Sequence, residues 1–266
     1  MKKTITSTIC ALALLSCDII DYHPYDVQIE GQTNVNTNNI ELIESLLKDK
    51  DTIRFAAMGD SQRWYDELHD FVQHINQQNN IDFVIHGGDM SDFGITDEFL
   101  IQRDILNNLN IPYVALIGNH DCLGTGEYTY RNVFGNPNFS FIAGKTKFIC
   151  LNTNALEYDY SRPIPDFNFI EQELNDTSSK YNKTIVAMHA APYEDVFNNN
   201  TAKVFQLYIR QLKNIQFCIA AHEHAYRAED IFDDGIIYYI SDCMKHRNYN
   251  LFTITKEGYS HEQIYF

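Results

Sequence analysis

Short apolar runs, each ending in glycine and polar or acidic residues, recur through most of this chain. Arg54 to Met58 reads as a buried strand that runs into Gly59-Asp60. Trp64, Leu68, Phe71, Val72 and Ile75 then recur every three or four residues, one face of an amphipathic helix. Phe83-Val84-Ile85 is a second strand and ends in Gly87-Gly88-Asp89. Thr96 is placed to cap a helix reaching about Leu109, with Asp97 and Glu98 in its first turn. Tyr113 to Ile117 is a third strand, followed by Gly118-Asn119-His120-Asp121. A strand-helix-strand rhythm of this kind predicts parallel strands with helical crossovers. Ligands of open α/β sheets gather beyond the carboxyl ends of the strands, where all three polar clusters fall.

The second half keeps the rhythm with less helix. Phe148 to Leu151, Thr184 to Met188 and Ile215 to Ala220 read as strands, the last two ending at His189 and at His222-Glu223-His224. Asp166 is placed to cap a helix through Phe167, Ile170 and Leu174, and Val204 to Leu212 reads as another. Gly235 to Ile240 and Leu251 to Ile254 complete a strand-rich end. Two mixed sheets face to face with helices outside each, a four-layer α-β-β-α sandwich, would use all of these elements. Upstream, Asp18 to Asp51 is polar and Asn-rich with one helical patch, Ile40 to Leu47; Asp18 to Gly31 is either an edge strand or a tether. The division expected is a leader over 1–16, a tether or edge segment over 17–51 and one domain over 52–266.

Composition narrows the function. The chain has 266 residues, 20 Lys+Arg against 36 Asp+Glu and 44% hydrophobic residues, enough for a large core. Its acidity argues against binding a long nucleic acid, which takes clustered cations. The leader has Lys2 and Lys3 ahead of a mostly apolar Ile9 to Leu15, too short to span a bilayer. Leu14-Leu15-Ser16-Cys17 resembles the lipobox of bacterial lipoproteins, which implies cleavage before Cys17 and lipid on it. The other readings are a secretory signal cut elsewhere and a buried helix. Lipidation predicts a bacterial cell-envelope protein, periplasmic or surface-exposed, held to the membrane by its N-terminal lipid only. Cleavage would remove two lysines and no acids, taking 20 − 2 = 18 bases against 36 acids to a net −18.

The strand ends carry Asp60 with Gln62, Asp89 with Asp92, Asn119-His120-Asp121, His189, and His222 with His224. One such residue is usually structural, but the succession is not. Carboxylates, amide oxygens and imidazoles together suit divalent Mn, Fe, Zn or Ni. Cys122 alone adjoins the set and reads as packing; the mature Cys122, Cys150, Cys218 and Cys243 read as isolated thiols, though three disulfide pairings are open to them.

Gly59-Asp60-Ser61-Gln62, Gly88-Asp89-Met90-Ser91-Asp92, Gly118-Asn119-His120-Asp121, Met188-His189 and Ala221-His222-Glu223-His224, in that order, resemble the calcineurin-like metallophosphoesterase family. The resemblance covers residues 54 to about 245. It implies two metals, Asp60, Gln62, Asp89 and His224 holding the first and Asn119, His189 and His222 the second, with Asp89 bridging. It implies that a hydroxide between the metals attacks phosphorus while His120, oriented by Asp92, protonates the leaving oxygen. The substrate implied is a small phosphomonoester or phosphodiester.

Three residues depart from the family pattern. Gln62 stands where His is usual, which favours Mn and weakens the first site; Gln62 hydrogen-bonding near the metals is the other reading. Ala221 replaces a glycine. Phe93 stands where protein phosphatases have a phosphate-clamping Arg; Arg63 and Arg162 are the candidate substitutes, each also readable as a surface ion pair. Trp64-Tyr65 and Tyr158-x-Tyr160 either line a pocket for a base, sugar or lipid headgroup or divide between core and surface. Gly124-Thr125-Gly126 lacks the Lys and spacing of a P-loop. A non-catalytic envelope binding protein on the same scaffold is the alternative to a hydrolase; loss of His120 or Asp89 would favour it, and both are present.

Overall fold

The computed structural model describes residues 23–266, so the expected leader, Cys17 and the start of the tether lie outside the described residues. Helix α1 (Val35–Leu47) comes first. Strands β1 (Ile53–Met58), β2 (Phe83–His86) and β3 (Tyr113–Ala115) alternate with α2 (Tyr65–Asn76) and α3 (Thr96–Leu106), and α4 (Gly126–Val133) follows. The second half runs β4 (Phe139–Ala143), β5 (Thr146–Leu151), α5 (Phe167–Leu174), β6 (Lys183–Met188), α6 (Ala202–Ile209) and β7 (Ile215–Ala220). It closes with β8 (Arg227–Glu229), β9 (Tyr238–Ile240), β10 (Asn248–Ile254) and β11 (Tyr259–Tyr265).

One sheet has the order β11-β10-β1-β2-β3 and the other β4-β5-β6-β7-β9-β8. The inner strands β1-β2-β3 and β5-β6-β7-β9 are parallel, while β10, β11, β4 and β8 pair antiparallel. Alternate residues explain the continuous apolar runs, because both faces are covered. Phe55, Phe83, Phe148, Phe217 and Phe252 meet between the sheets. Ala56, Met58 and Val84 point the other way and meet Leu68, Phe71 and Phe99 of the helices. Val186, Met188 and Cys218 do the same against Ile170, Phe205 and Ile209. The expected four-layer sandwich is thus the architecture found. Phe55 fastens the inner layers: it stacks on Phe83 and Phe252 and meets Phe148 of the other sheet edge-on, each at 5.1 Å.

Several expectations need correction. The described part of the 17–51 segment is more than a tether or an edge strand. Helix α1 begins at Val35, five residues before the apolar patch, and seals the exposed edge of β3 with amides. Asn36 both donates to the Ala115 carbonyl (2.8 Å) and accepts from its N–H (2.9 Å), as a neighbouring strand would, and Asn39 donates to the Tyr113 carbonyl. The Asn-rich composition that looked like tether is the edge cover. Thr96 does not cap α3; its hydroxyl bonds the Asp26 carbonyl, and the cap position is Ile95. Glu98 supplies the acceptor instead, taking the N–H groups of Asp92, Phe93 and Ile95. Helix α3 also stops at Leu106 rather than Leu109. Asp166 caps α5 as expected.

Candidate active site

The carboxyl ends of β1, β2 and β3 in one sheet and of β6 and β7 in the other turn toward one another. Their turns are cross-linked by main-chain bonds: Asp60 N–H to Gly88 O (3.0 Å), Gln62 N–H to Asp89 O (2.9 Å) and Ala221 N–H to His189 O (2.8 Å). Five of the expected ligands sit in left-handed backbone, Asp60 (φ 52°), Gln62 (27°), Asp89 (58°), His222 (72°) and His224 (53°). Non-glycine residues pay about 1–3 kcal/mol each for such geometry, which persists where the surroundings dictate it and clusters at functional sites. A Cβ on Gly118 would fall 2.1 Å from Asp89 Oδ1, and one on Gly88 2.8 Å from His189 Nδ1, so both glycines are required. Ala221 is tolerated because Gly59 and Gly87, whose own Cβ atoms would sit 2.9 and 3.0 Å from its methyl, leave it the space.

The side chains fall into two groups that share Asp89. Ligand atoms of Asp60, Asp89 and His224 lie within 4.8 Å of one another, and so do those of Asp89, His189 and His222. Asn119 belongs with the second group: its Oδ1 lies 3.0 Å from both His189 Nε2 and His222 Nδ1. The opposite ring nitrogens face acceptors, His189 Nδ1 the Gly87 carbonyl (2.9 Å) and His222 Nε2 the Asp195 carboxylate (2.8 Å). In its neutral form each ring carries its proton on the outside and turns a bare lone pair inward, the form a metal binds. In that form two lone pairs, an amide oxygen and a carboxylate converge. On the other side Asp60 Oδ1 is buried and accepts no hydrogen bond, with His224 Nε2 3.4 Å away. A donor-poor centre of this kind fits divalent cations, with oxygen and nitrogen ligands and no thiolate.

The electrostatics show the centre's demand for positive charge, met by a proton on His189 where no cation is bound. Burial opposes a charge on His189, yet Asp89 and Asp60 raise its pKa to about 10. Burial likewise opposes ionisation of Asp89, which His189 and His120 nevertheless hold below the usual carboxylate range. The carboxylates draw positive charge into the centre.

Gln62 stands beside the first group with its Nε2 3.3 Å from Asp89 Oδ2, so the amide presents nitrogen to the shared carboxylate. His120 is outside both groups. Its Nδ1 bonds the main-chain carbonyl of Asp92 at 2.9 Å, which leaves Nε2 for a substrate. The orienting group is thus Asp92's backbone rather than its carboxylate, which pairs with Arg63. Arg162 pairs with Glu127 at 2.7 Å and its guanidinium lies over Tyr158, so both arginines take the ion-pair reading. Cys122, Cys150, Cys218 and Cys243 are free thiols.

Sequence reasoning missed the groups that hold the ligands. Buried Asp121 accepts the N–H groups of Asp89, Met90, Ser91 and Gly118 and the Ser91 hydroxyl, all at 2.8–3.0 Å. Burial and Asp89 push its pKa up to about 6 against those donors. His86, at the end of β2, accepts from Gly88 N–H and meets Ser61 Oγ at 2.7 Å; burial pushes its pKa down to about 3, so the ring is neutral. Ser61 passes the contact to Gln102, which donates to the Gln62 carbonyl. The fourth residue of Gly-Asn-His-Asp was a visible signal for Asp121; Asp195 had none.

Residues 53–226, more than half of the chain, match the family model described as calcineurin-like phosphoesterase. The chain belongs to the calcineurin-like phosphoesterase family. A comparison with curated proteins finds no sequence match. Solved structures similar to this family member include a dimetal phosphatase from Danio rerio, with TM-score 0.63 and 11% identity over 80% of this chain and 99% of that one. GAP50, the anchor in the inner membrane complex of Plasmodium, has TM-score 0.57 and 13% identity over 81% and 85%. Purple acid phosphatase PPD1 from yellow lupin has TM-score 0.55 and 15% identity over 82% of this chain and 54% of that one. At these identities the likeness is one of fold.

Asp121→Asn tests the tie between the two turns. An amide keeps one acceptor but turns an NH2 toward peptide N–H groups. Urea unfolding of the metal-free variant should show a loss of at least about 2 kcal/mol. A change under about 0.5 kcal/mol would show that the donors find other partners.

Proposed function

We propose that this protein hydrolyses small phosphomonoesters or phosphodiesters at a two-metal centre. Asp60, Asp89 and His224, with Gln62 turned to present its oxygen, would hold one ion, and Asp89, Asn119, His189 and His222 the other. The observation that carries the proposal is that Asp89 belongs to both donor groups. Family membership and the dimetal and purple acid phosphatases that share its fold support it. When bound, two divalent ions supply Lewis acidity toward phosphoryl oxygens and lower the pKa of water. The chain's own residues do the rest. His120, with Nδ1–H tied to a carbonyl, turns Nε2 outward, and in its imidazolium form would give the Nε2 proton to the leaving oxygen. Asp195 and Gly87 O fix the tautomers of His222 and His189. The likeness to GAP50, described as an anchor, favours a non-catalytic scaffold as the second reading; the imidazole of His120, held through Nδ1 with Nε2 left for a substrate, favours the hydrolase.

Activity of the 18–266 fragment on a chromogenic phosphoester with Mn should vanish on chelation and return with metal. His120→Ala should retain two metals per chain and lose about 10²–10⁴-fold in rate, less where the leaving group needs no proton. Asp92→Asn should have the smaller effect, since the carbonyl that holds the imidazole survives. Activity in a sample shown to be metal-free, or loss of a metal with His120, would defeat the assignment.

Gln62→Ala should lower metal occupancy below two under limiting Mn, and Gln62→His should raise affinity at the first site and shift it toward Zn. If neither changes, Gln62 only hydrogen-bonds Asp89 and leaves the ligand set.

We also propose an envelope location with lipid on Cys17, on the strength of Lys2, Lys3 and the Leu14–Cys17 stretch. In a bacterial host, labelled palmitate should enter the wild type and not Cys17→Ala, which should leave the membrane fraction. Labelling that survives the substitution refutes it.

A further inference from the structure

Beside the first donor group lies a cavity of about 340 Å³, walled by Gln62, Arg63, Trp64, His224, Cys243, Lys245 and His246. Its size is at the lower end for small-molecule sites, and two of its walls, Gln62 and His224, belong to the proposed centre. Its other walls are an indole, the Cys243 thiol and three basic side chains, in a chain with 36 acids against 20 bases. Two of the three are already engaged: Arg63 pairs with Asp92, and His246 Nδ1 lies 2.9 Å from Asp242. Lys245 is different. Among the described residues no carboxylate lies within ion-pair distance of its ammonium, which sits over the Trp64 ring, 5.2 Å from the centroid.

Position follows from local structure. Trp64 immediately precedes α2 and packs its other side on the core, which fixes the indole. Lys245 lies in the 3-10 turn Met244–His246, and that turn is tied to the centre by Met244 N–H to the Asp60 carbonyl. The ammonium is therefore kept near the cavity by a cation–π contact that a ligand oxygen can outcompete, since charge-assisted hydrogen bonds are stronger than exposed cation–π contacts.

Resting on the reading of the centre as a phosphoesterase, we propose that Lys245, positioned by Trp64, receives a second anionic group on the substrate. The preferred substrates are then phosphoesters whose organic part carries a further phosphate or carboxylate, on a scaffold about the size of a sugar. The metals would take the scissile group and Lys245 the distal one. An exposed lysine on an aromatic ring is often only a surface contact; what sets this one apart is the lack of a carboxylate partner together with a wall shared with the metal ligands.

Fructose 1,6-bisphosphate and fructose 6-phosphate separate the possibilities, because they share a scaffold and differ in one phosphate. Phosphate release should give a kcat/KM at least tenfold higher for the bisphosphate. Lys245→Met should bring the ratio toward one, and Lys245→Arg, which keeps the charge, should preserve it. Trp64 is the sole tryptophan, so its fluorescence reports occupancy without turnover. The bisphosphate should titrate it in the wild type at concentrations that leave Lys245→Met unchanged. If neither sugar phosphate is hydrolysed but this Lys245-dependent titration remains, the subsite stands and the hydrolase reading fails. Equal kcat/KM values, or no Lys245-dependent fluorescence change, overturn the subsite.

Discussion

One carboxylate that faces only peptide and hydroxyl donors aligns the candidate centre. Asp121 gathers four main-chain N–H groups and a hydroxyl from the turns after β2 and β3. Those turns carry Asp89 and Asn119, and neither side chain can take its place unless both backbones are held at a fixed separation. Gly118 lets the two turns approach so closely that a methyl on it would overlap Asp89. The charge of Asp121 is the reason it can do this: an ionised carboxylate binds N–H groups about twice as strongly as a neutral acceptor, and its two oxygens share the five donors between them, two on one and three on the other. Burial beside Asp89 works against that charge and raises its pKa to about 6. Cations between the neighbouring ligands would relieve the same repulsion, so assembly of the metal centre and stability of the turn are expected to reinforce one another.

Strain enters through the same turns. Asp60, Gln62, Asp89, His222 and His224 are all left-handed, an arrangement none of them would choose in a free chain. Each turn reverses immediately after a strand, which brings a long polar side chain back over the strand end instead of out to solvent. The opposing stabilisation comes from the two covered sheets, above all the phenylalanine cluster around Phe55, and from the cross-links between turns. A rigid sandwich is thus a precondition for the site, since loosening the strands would let the backbone relax and separate the ligands.

The fold was legible where burial leaves one signature. Inner parallel strands such as Phe83–His86 and the Phe217–Ala220 part of β7 are covered on both faces and read as apolar runs that lead into histidines. The edges were not legible. Strand β8 is three largely polar residues, and β11, Tyr259–Tyr265, is half-exposed with no core pattern. Helix α1 shows the limit well: its asparagines are chosen for the carbonyls of β3, a partner about 75–80 residues away that no local pattern reveals. The site behaved in the same way. Side chains that face the centre announce themselves by chemistry at strand ends, whereas Asp121, His86 and Asp195 act on groups that sequence does not display. Asp92 was half legible: its position beside His120 is as expected, but the contact is made by a carbonyl every residue possesses.

That distinction bears on how substitutions here should be interpreted. A main-chain carbonyl holds His120 through Nδ1 whatever side chain occupies position 92, so the nitrogen left to face a substrate, Nε2, is set by the backbone path and not by a titratable neighbour. The Asp92 carboxylate is then released for Arg63, and this pairing keeps a guanidinium at the cavity wall without leaving it free to capture anions. The same economy governs Asp242 and His246 on the opposite wall. Acidic residues around the proposed centre thus neutralise most of the nearby cations, and the net negative chain does not simply repel an anionic ligand. What remains to attract one is local: cations the donor groups are built to hold, and the ammonium of Lys245. Selectivity between phosphoesters would therefore depend on where charge stays unpaired, a property of a few side chains rather than of the overall charge of −16.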